Sequence, residues 1–175
     1  MYRIMLVDDE ENILRALKRV LNTEGDYEIE MFTNAKLAIQ RARETKFHLI
    51  LSDYRMPEMD GVSFLAEVKM MQPQAIRLIL SGYSDLDALL GAINRAEIFR
   101  FISKPWEDYE LKQIIAQALK HQTVIEENQQ LADLVRTQQI KLNQQTILLN
   151  KLEEETPGIT QVNWADDGSI ILDEE

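Results

Sequence analysis

The chain has 175 residues, with 19 Lys and Arg against 30 Asp and Glu, and a net charge of −11. Nucleic-acid backbone and anionic membrane surfaces are therefore poor partners for it as a whole. It has no cysteine, which excludes disulfides, thiolate metal sites and cysteine nucleophiles. The length allows one domain of ordinary size and something more. No apolar run reaches membrane-spanning length and the N-terminal run is too short for a signal peptide, so a cytoplasmic protein is expected.

The first element is Ile4-Met5-Leu6-Val7, a short apolar strand that ends on Asp8-Asp9-Glu10-Glu11. Apolar residues then recur at Ile13, Leu14, Leu17, Val20 and Leu21, the spacing of a helix, with Gly25 as its stop. Tyr27 to Phe32 alternates weakly and reads as an outer strand. Asn34 is placed to cap a helix that runs to about Thr45. Phe47 to Ser52 is an apolar run that stops on Asp53, followed closely by Pro57 and Gly61. Such a run reads as a strand buried on both faces, as in a parallel sheet. On this stretch alone Asp53 serves equally well as a cap of the following turn.

Val62, Phe64, Leu65 and Val68 mark the next helix, and Pro73 ends the connection after it. Ile76 to Leu80 is the fourth strand, ending on Ser81-Gly82; Leu86, Leu89, Leu90 and Ile93 mark a helix. Ile98 to Ile102 is the fifth strand, ending on Ser103-Lys104-Pro105, and a long helical pattern opens near Glu107. Strands that alternate with helices in this way predict an α/β fold with a parallel sheet and helices on both faces. At this size the expected form is the flavodoxin-like, doubly wound five-stranded sheet of order 2-1-3-4-5, with an extended C-terminal helix. In that order the first and third strands are neighbours at the switch point, where ligands bind.

The last helical pattern contains no Pro or Gly between Trp106 and Thr156. A heptad runs through Val124, Asn128, Leu131, Val135, Gln138, Leu142, Gln145, Leu149 and Leu152, of which six are apolar. It predicts a coiled coil with Asn128 at an a position, weakened by two Gln at d. The same pattern also describes an amphipathic helix folded back on its own domain. Ile159 to Leu172, with Asp167-Gly168 at its centre, carries a hairpin signal, and a lone hairpin is marginal in water. From His121 onward there are three Lys and Arg against eleven Asp and Glu, so no DNA-binding module is expected there. The expected organisation is a domain over residues 1–120, a coiled-coil helix over 121–155 and an acidic tail over 156–175.

The polar residues fall at strand ends: Asp8 and Asp9 after the first, Asp53 after the third, Ser81 after the fourth and Lys104 after the fifth. All four ends lie on one edge of the expected sheet. Clustered carboxylates repel unless a cation sits among them, and hard oxygen ligands without histidine or sulfur suit Mg²⁺. With its charge neutralised in this way, Asp53 can attack a phosphoryl group, while Ser81 and Lys104 hold the phosphoryl oxygens.

These motifs resemble the receiver domain of two-component response regulators: Asp8-Asp9, Asp53 with Met56-Pro57 and Asp60-Gly61, Ser81-Gly82, and Lys104-Pro105. The resemblance covers roughly residues 2–120. It implies that Asp53 accepts phosphate from a sensor histidine kinase. It also implies that Asp8, Asp9, Asp53 and the backbone carbonyl of Arg55 hold Mg²⁺, and that Ser81 and Phe101 form a switch pair. The Lys104-Pro105 bond is implied to be cis. The stretches around Ser81-Gly82-Tyr83 and Lys104-Pro105-Trp106 look most like receivers that precede second-messenger phosphodiesterase-type or phosphatase outputs.

The residues support one principal reading and two rivals. The principal one is a phosphorylation-gated switch, not itself a catalytic domain, that signals through a parallel coiled-coil homodimer and a tail docking a downstream protein, with no direct contact to nucleic acid or membrane. The first rival is the regulatory N-terminal part of a longer enzyme. The second is an aspartate-nucleophile phosphatase of the haloacid dehalogenase type, which wants an acidic residue two beyond the nucleophile, where Arg55 stands. Arg55 and Tyr83, each two residues beyond a site residue, are expected to flank the site and slow hydrolysis of the aspartyl phosphate. His48 reads as a core histidine and His121 as a surface one.

Overall fold

The structure is a computed structural model that describes residues 1–23, 27–82 and 96–158. The described elements are β1 (Tyr2–Val7), α1 (Glu11–Leu21), β2 (Tyr27–Phe32), α2 (Ala35–Glu44), β3 (Leu49–Asp53), α3 (Gly61–Met71), β4 (Ile76–Gly82), β5 (Arg100–Lys104) and α4 (Asp108–Glu155). The five strands form one parallel sheet of order β2-β1-β3-β4-β5, as expected.

Side-chain alternation splits each inner strand between two cores. Ile4 and Leu6 of β1, Leu49 and Leu51 of β3, and Leu78 and Leu80 of β4 face Leu14, Leu17 and Leu21 of α1 and Leu111, Ile115 and Leu119 of α4. Met5, Val7, Ile50 and Ile79 face Ala38 and Ile39 of α2 and Phe64, Leu65 and Val68 of α3. Residues 49–53 of β3 are all buried, which is why that strand reads as an unbroken apolar run.

Local chemistry sets most helix boundaries. The Asn34 carboxamide oxygen accepts from the backbone N–H groups of Lys36 (2.8 Å) and Leu37 (3.3 Å), capping α2. Asp60 caps α3 by accepting from the Ser63 N–H at 2.8 Å. Several boundaries differ from expectation, among them β1, which begins at Tyr2 and not Ile4, and β3, which begins at Leu49 and not Phe47. Helix α1 ends at Leu21, where the Asn22 N–H donates to the Lys18 carbonyl, before Gly25 is reached. Strand β5 begins at Arg100, two residues later than its apolar run. Ile98 is buried without joining the ladder, and Phe99 donates its N–H to the Arg77 carbonyl at 2.8 Å. An apolar run reports burial, whereas the ladder is set by register with β4, where Leu78 pairs with Arg100.

The helix expected over Leu86–Ile93, the Tyr83 position and the hairpin expected over Ile159–Leu172 lie outside the described residues. Two compact units are distinguished, Met1–Glu127 and Asn128–Glu175. Within the first, Trp106 packs against the core that includes the start of α4. The Arg3 N–H donates to His48 Nδ1 at 2.8 Å, which satisfies that histidine. Within the second, Leu131, Val135, Leu142, Leu149 and Leu152 are exposed. No helix among the described residues is long and apolar enough to cross a membrane.

Candidate functional site

The carboxyl edge of the sheet assembles its polar groups through register. β1 pairs with β3, with Val7 opposite Ser52, so the next residues, Asp8 and Asp53, lie side by side. β3 pairs with β4, with Asp53 opposite Leu80, and β4 pairs with β5, with Gly82 opposite Lys104. The Lys104-Pro105 peptide is cis.

Lys104 reaches across this edge. Its ammonium lies 2.8 Å from Asp8 Oδ2 and 2.5 Å from Asp53 Oδ1. Asp8 is fully buried and Asp53 nearly so, whereas Asp9 is exposed. The other carboxylate oxygens take backbone donors: Asp8 Oδ1 accepts from the Glu10 N–H at 2.9 Å, and Asp53 Oδ2 from the Arg55 N–H at 2.8 Å. Burial pushes the Asp53 carboxyl above its ordinary value; the hydrogen bond and charge of Lys104 pull it back only in part, and the charge of Asp8 adds to the rise. Burial also works against the Lys104 ammonium, but its bonds to Asp53 and Asp8 outweigh that and leave its pKa raised.

The loop that presents Asp53 is held from both sides. The Gly61 N–H donates to the Tyr54 carbonyl at 2.8 Å. A Cβ at Gly61 would lie 2.0 Å from the Asp53 carbonyl oxygen, so only glycine fits. Glu58 occupies the left-handed region at φ 67°, and its carboxylate pairs with Lys36 of α2 at 2.7 Å. Ser81 is buried at the end of β4. Phe101 is half-buried opposite Ile79, packed against the α2–α3 core.

The structure thus brings Asp8, Asp53 and Lys104 into one cluster and sets Ser81 on the same edge. Asp9 and Arg55 are exposed beside it, and Tyr83 lies outside the described residues. Among the described residues no three His, Cys, Asp or Glu side chains converge as a ready-made metal group. The donor set nonetheless fits Mg²⁺: two buried carboxylates with hard oxygens, no competing nitrogen or sulfur ligand, and negative charge in excess of the single lysine.

The sequence reading missed Arg77. It interrupts the run Ile76-Arg77-Leu78-Ile79-Leu80 and is 5% exposed. A charged residue inside an otherwise apolar strand is the signal that would have found it.

An open parallel sheet of order 2-1-3-4-5 is the flavodoxin-like, doubly wound topology. The chain belongs to the response regulator receiver domain family, whose model matches residues 4–116. The hydrogenase transcriptional regulatory protein HoxA of Bradyrhizobium diazoefficiens is 38% identical over 117 residues, covering 67% of this chain and 24% of that protein. The chain spans about a quarter of the length of the curated relatives it matches. Among solved structures, the signal receiver domain of an HD domain-containing protein from Pseudomonas fluorescens Pf-5 is 36% identical with a TM-score of 0.68, covering 72% of this chain and 92% of that one. A CheY-like response regulator receiver domain protein from Methanospirillum hungatei JF-1 is 28% identical with a TM-score of 0.65, covering 70% and 97%.

Proposed function

We propose that the protein is a phosphorylation-gated switch in which Asp53 accepts a phosphoryl group from a sensor histidine kinase. An Asp53 oxygen attacks phosphorus, the bond from phosphorus to the donor histidine nitrogen breaks, and an aspartyl phosphate forms. One observation carries this reading: Asp53 is a buried carboxylate at the end of a central strand, 2.5 Å from Lys104 and beside Asp8. Asp8, Asp9, Asp53 and the Arg55 carbonyl would hold Mg²⁺, which supplies positive charge to the phosphoryl oxygens when bound. Lys104 exchanges its Asp53 partner for a phosphoryl oxygen, and Ser81 donates its hydroxyl to another. Arg55 donates its backbone N–H to Asp53 Oδ2 and so orients the carboxylate. Phe101 responds to movement of Ser81.

The output follows from the exposed apolar stripe on the second unit. Leu131, Val135, Leu142, Leu149 and Leu152 repeat at heptad spacing and are 38–62% exposed, a face that suits a parallel homodimer with Asn128 facing Asn128. The acidic tail docks a downstream protein. A second reading is favoured by the receiver of an HD domain-containing protein noted above: the chain is the regulatory part of a longer protein with its own output.

The test is intact-mass spectrometry after treatment with acetyl phosphate and Mg²⁺. One phosphoryl group is expected on the wild type and none on Asp53→Asn. Undiminished labelling of the Asn variant removes Asp53 from the role.

A further inference from the structure

Arg77 is a buried cation remote from the phosphoacceptor edge. It stands in β4 four residues before Ser81, and strand alternation puts Arg77, Ile79 and Ser81 on one face of that strand. Ile79 lies in the core shared with α2 and α3, as do Ala96 and Ile98, and Phe101 packs against the same core. The chain leaves β4 at Gly82 and re-enters the described part at Ala96.

All three guanidinium nitrogens are used. Nε donates to the Ala96 carbonyl at 2.7 Å. Nη1 donates to the carbonyls of Ala75 at 2.6 Å, Pro73 at 3.1 Å and Gln72 at 3.4 Å, just past the C-terminal end of α3. Nη2 lies 3.5 Å from Glu97 Oε2. Glu97 sits in the left-handed region at φ 48°, and its other oxygen pairs with Lys69 of α3 at 2.6 Å. Its carboxylate is largely solvated, so the carbonyls, and not a buried counter-ion, hold the arginine. Burial pulls the guanidinium pKa down, against the weaker pull of Glu97. A buried ion is weak evidence for stability, because apolar replacements of similar volume are often neutral or stabilising. What this arginine does supply is geometry: a planar fork tying the end of α3 to the point where the chain returns to the sheet.

We propose that Arg77 is a positioning residue of the switch: it fixes Ala96 and Glu97 just ahead of β5, so that movement at Ser81 is delivered to Phe101 on β5. The face then works as a lever with one held end and one moving end. The proposal rests on the phosphorylation reading above. Arg77 takes no part in accepting phosphate, so its loss should uncouple the response while leaving labelling intact.

The experiment compares wild type, Arg77→Lys and Arg77→Met as full chains. Lys keeps the charge but not the fork, and Met keeps an apolar stem of similar length without the charge. Acetyl phosphate labelling of Asp53 is measured first, then the beryllofluoride-induced amide shift changes at Ser81 and Phe101 by NMR. Both variants are expected to label as wild type does and to keep the shift change at Ser81, while the change at Phe101 falls about threefold or more. Glu97→Gln, which leaves the carbonyl bonds in place, is expected to keep the Phe101 response. If Arg77→Met or Arg77→Lys folds, labels and still gives the full Phe101 change, the residue is only structural and the proposal fails. If the wild type neither labels nor responds to beryllofluoride, the phosphorylation reading fails and takes this one with it.

Discussion

Asp53 is held in a place that opposes its own charge. Burial raises its pKa from an ordinary 3.8, and the bond from Lys104 offsets only part of that. Because the folded protein binds the proton more tightly than the unfolded chain, this group lowers stability as pH rises through the window above 3.8, and the penalty is complete once Asp53 is ionised. Asp53→Asn should therefore be more stable than wild type, by about 0.5–2 kcal/mol, the common yield of a single stabilising substitution. The gain should vanish when melting is followed at pH below 3.8. A variant no more stable than wild type at pH 7 contradicts this account. Gly61 is the opposite kind of residue, useful only through what it lacks. A methyl group there collides with the Asp53 carbonyl, and the obstruction is backbone, so relief requires the loop after Asp53 to move. Gly61→Ala should destabilise by about 2–3 kcal/mol in urea titration. Residual folded protein should label at Asp53 more slowly, since the displaced carbonyl belongs to the proposed phosphoacceptor itself.

At the level of elements, α4 carries the informative irregularity. Its inner stripe in the first unit runs through Leu111, Ile115, Ala118 and Leu119 and then reaches Gln122, which is 2% exposed. The Gln122 carboxamide oxygen is buried with no hydrogen-bond partner among the described residues. An orphaned buried acceptor carries a desolvation penalty that an apolar side chain of the same shape avoids. Gln122→Leu should stabilise the protein by about 1–2 kcal/mol in equilibrium urea unfolding. Destabilisation on that substitution would mean the amide has a partner that matters. By contrast Gln72, also buried, is fully used. Its amide nitrogen donates to the carbonyls of Ala42 (2.5 Å) and Thr45 (2.7 Å), and its oxygen accepts from the Phe47 N–H (2.8 Å), tying the end of α2 to the start of β3.

For the molecule as a whole, the question is what the exposed stripe on residues 128–155 meets. Leu134 and Leu148 fall at g positions of the heptad and are also exposed, which widens the seam beyond a and d. Ile140 and Ile147 fall at f, on the far side, and would stay in water in a two-stranded coil. In the proposed homodimer the imperfect d row, with Gln138 and Gln145, would make pairing weak and hence open to control by phosphorylation. Asn128→Val should tighten association and reduce its dependence on beryllofluoride, at some loss of register. Equilibrium ultracentrifugation of both proteins, with and without the mimic, decides the matter. A wild type that stays monomeric in both states at micromolar concentrations removes the coiled coil, and a dimer constant indifferent to the mimic removes the switch.

Much of this architecture is local and so can be read along the chain. Strand and helix periodicity, the Asn34 cap and the arrest of the β3 run on Asp53 depend on residues close in sequence, and together they lead to the sheet order. The placement of Asp8, Asp53, Ser81 and Lys104 on one edge follows from that order, because parallel strands present all their carboxyl ends together. The contacts made across the sheet could not be read in the same way. That Lys104 bridges Asp8 and Asp53, that Asp9 stays exposed, and that Arg77 gathers carbonyls from the α3–β4 connection and from Ala96 depend on register between distant segments and on which side chains the fold leaves without water. The start of β5 shifted for the same reason: Ile98 is apolar because it is buried, and only the pairing of Leu78 with Arg100 decides where the ladder begins. Hydrophobic pattern is a property of the chain, whereas partnership among buried charges exists only once the chain has closed on itself.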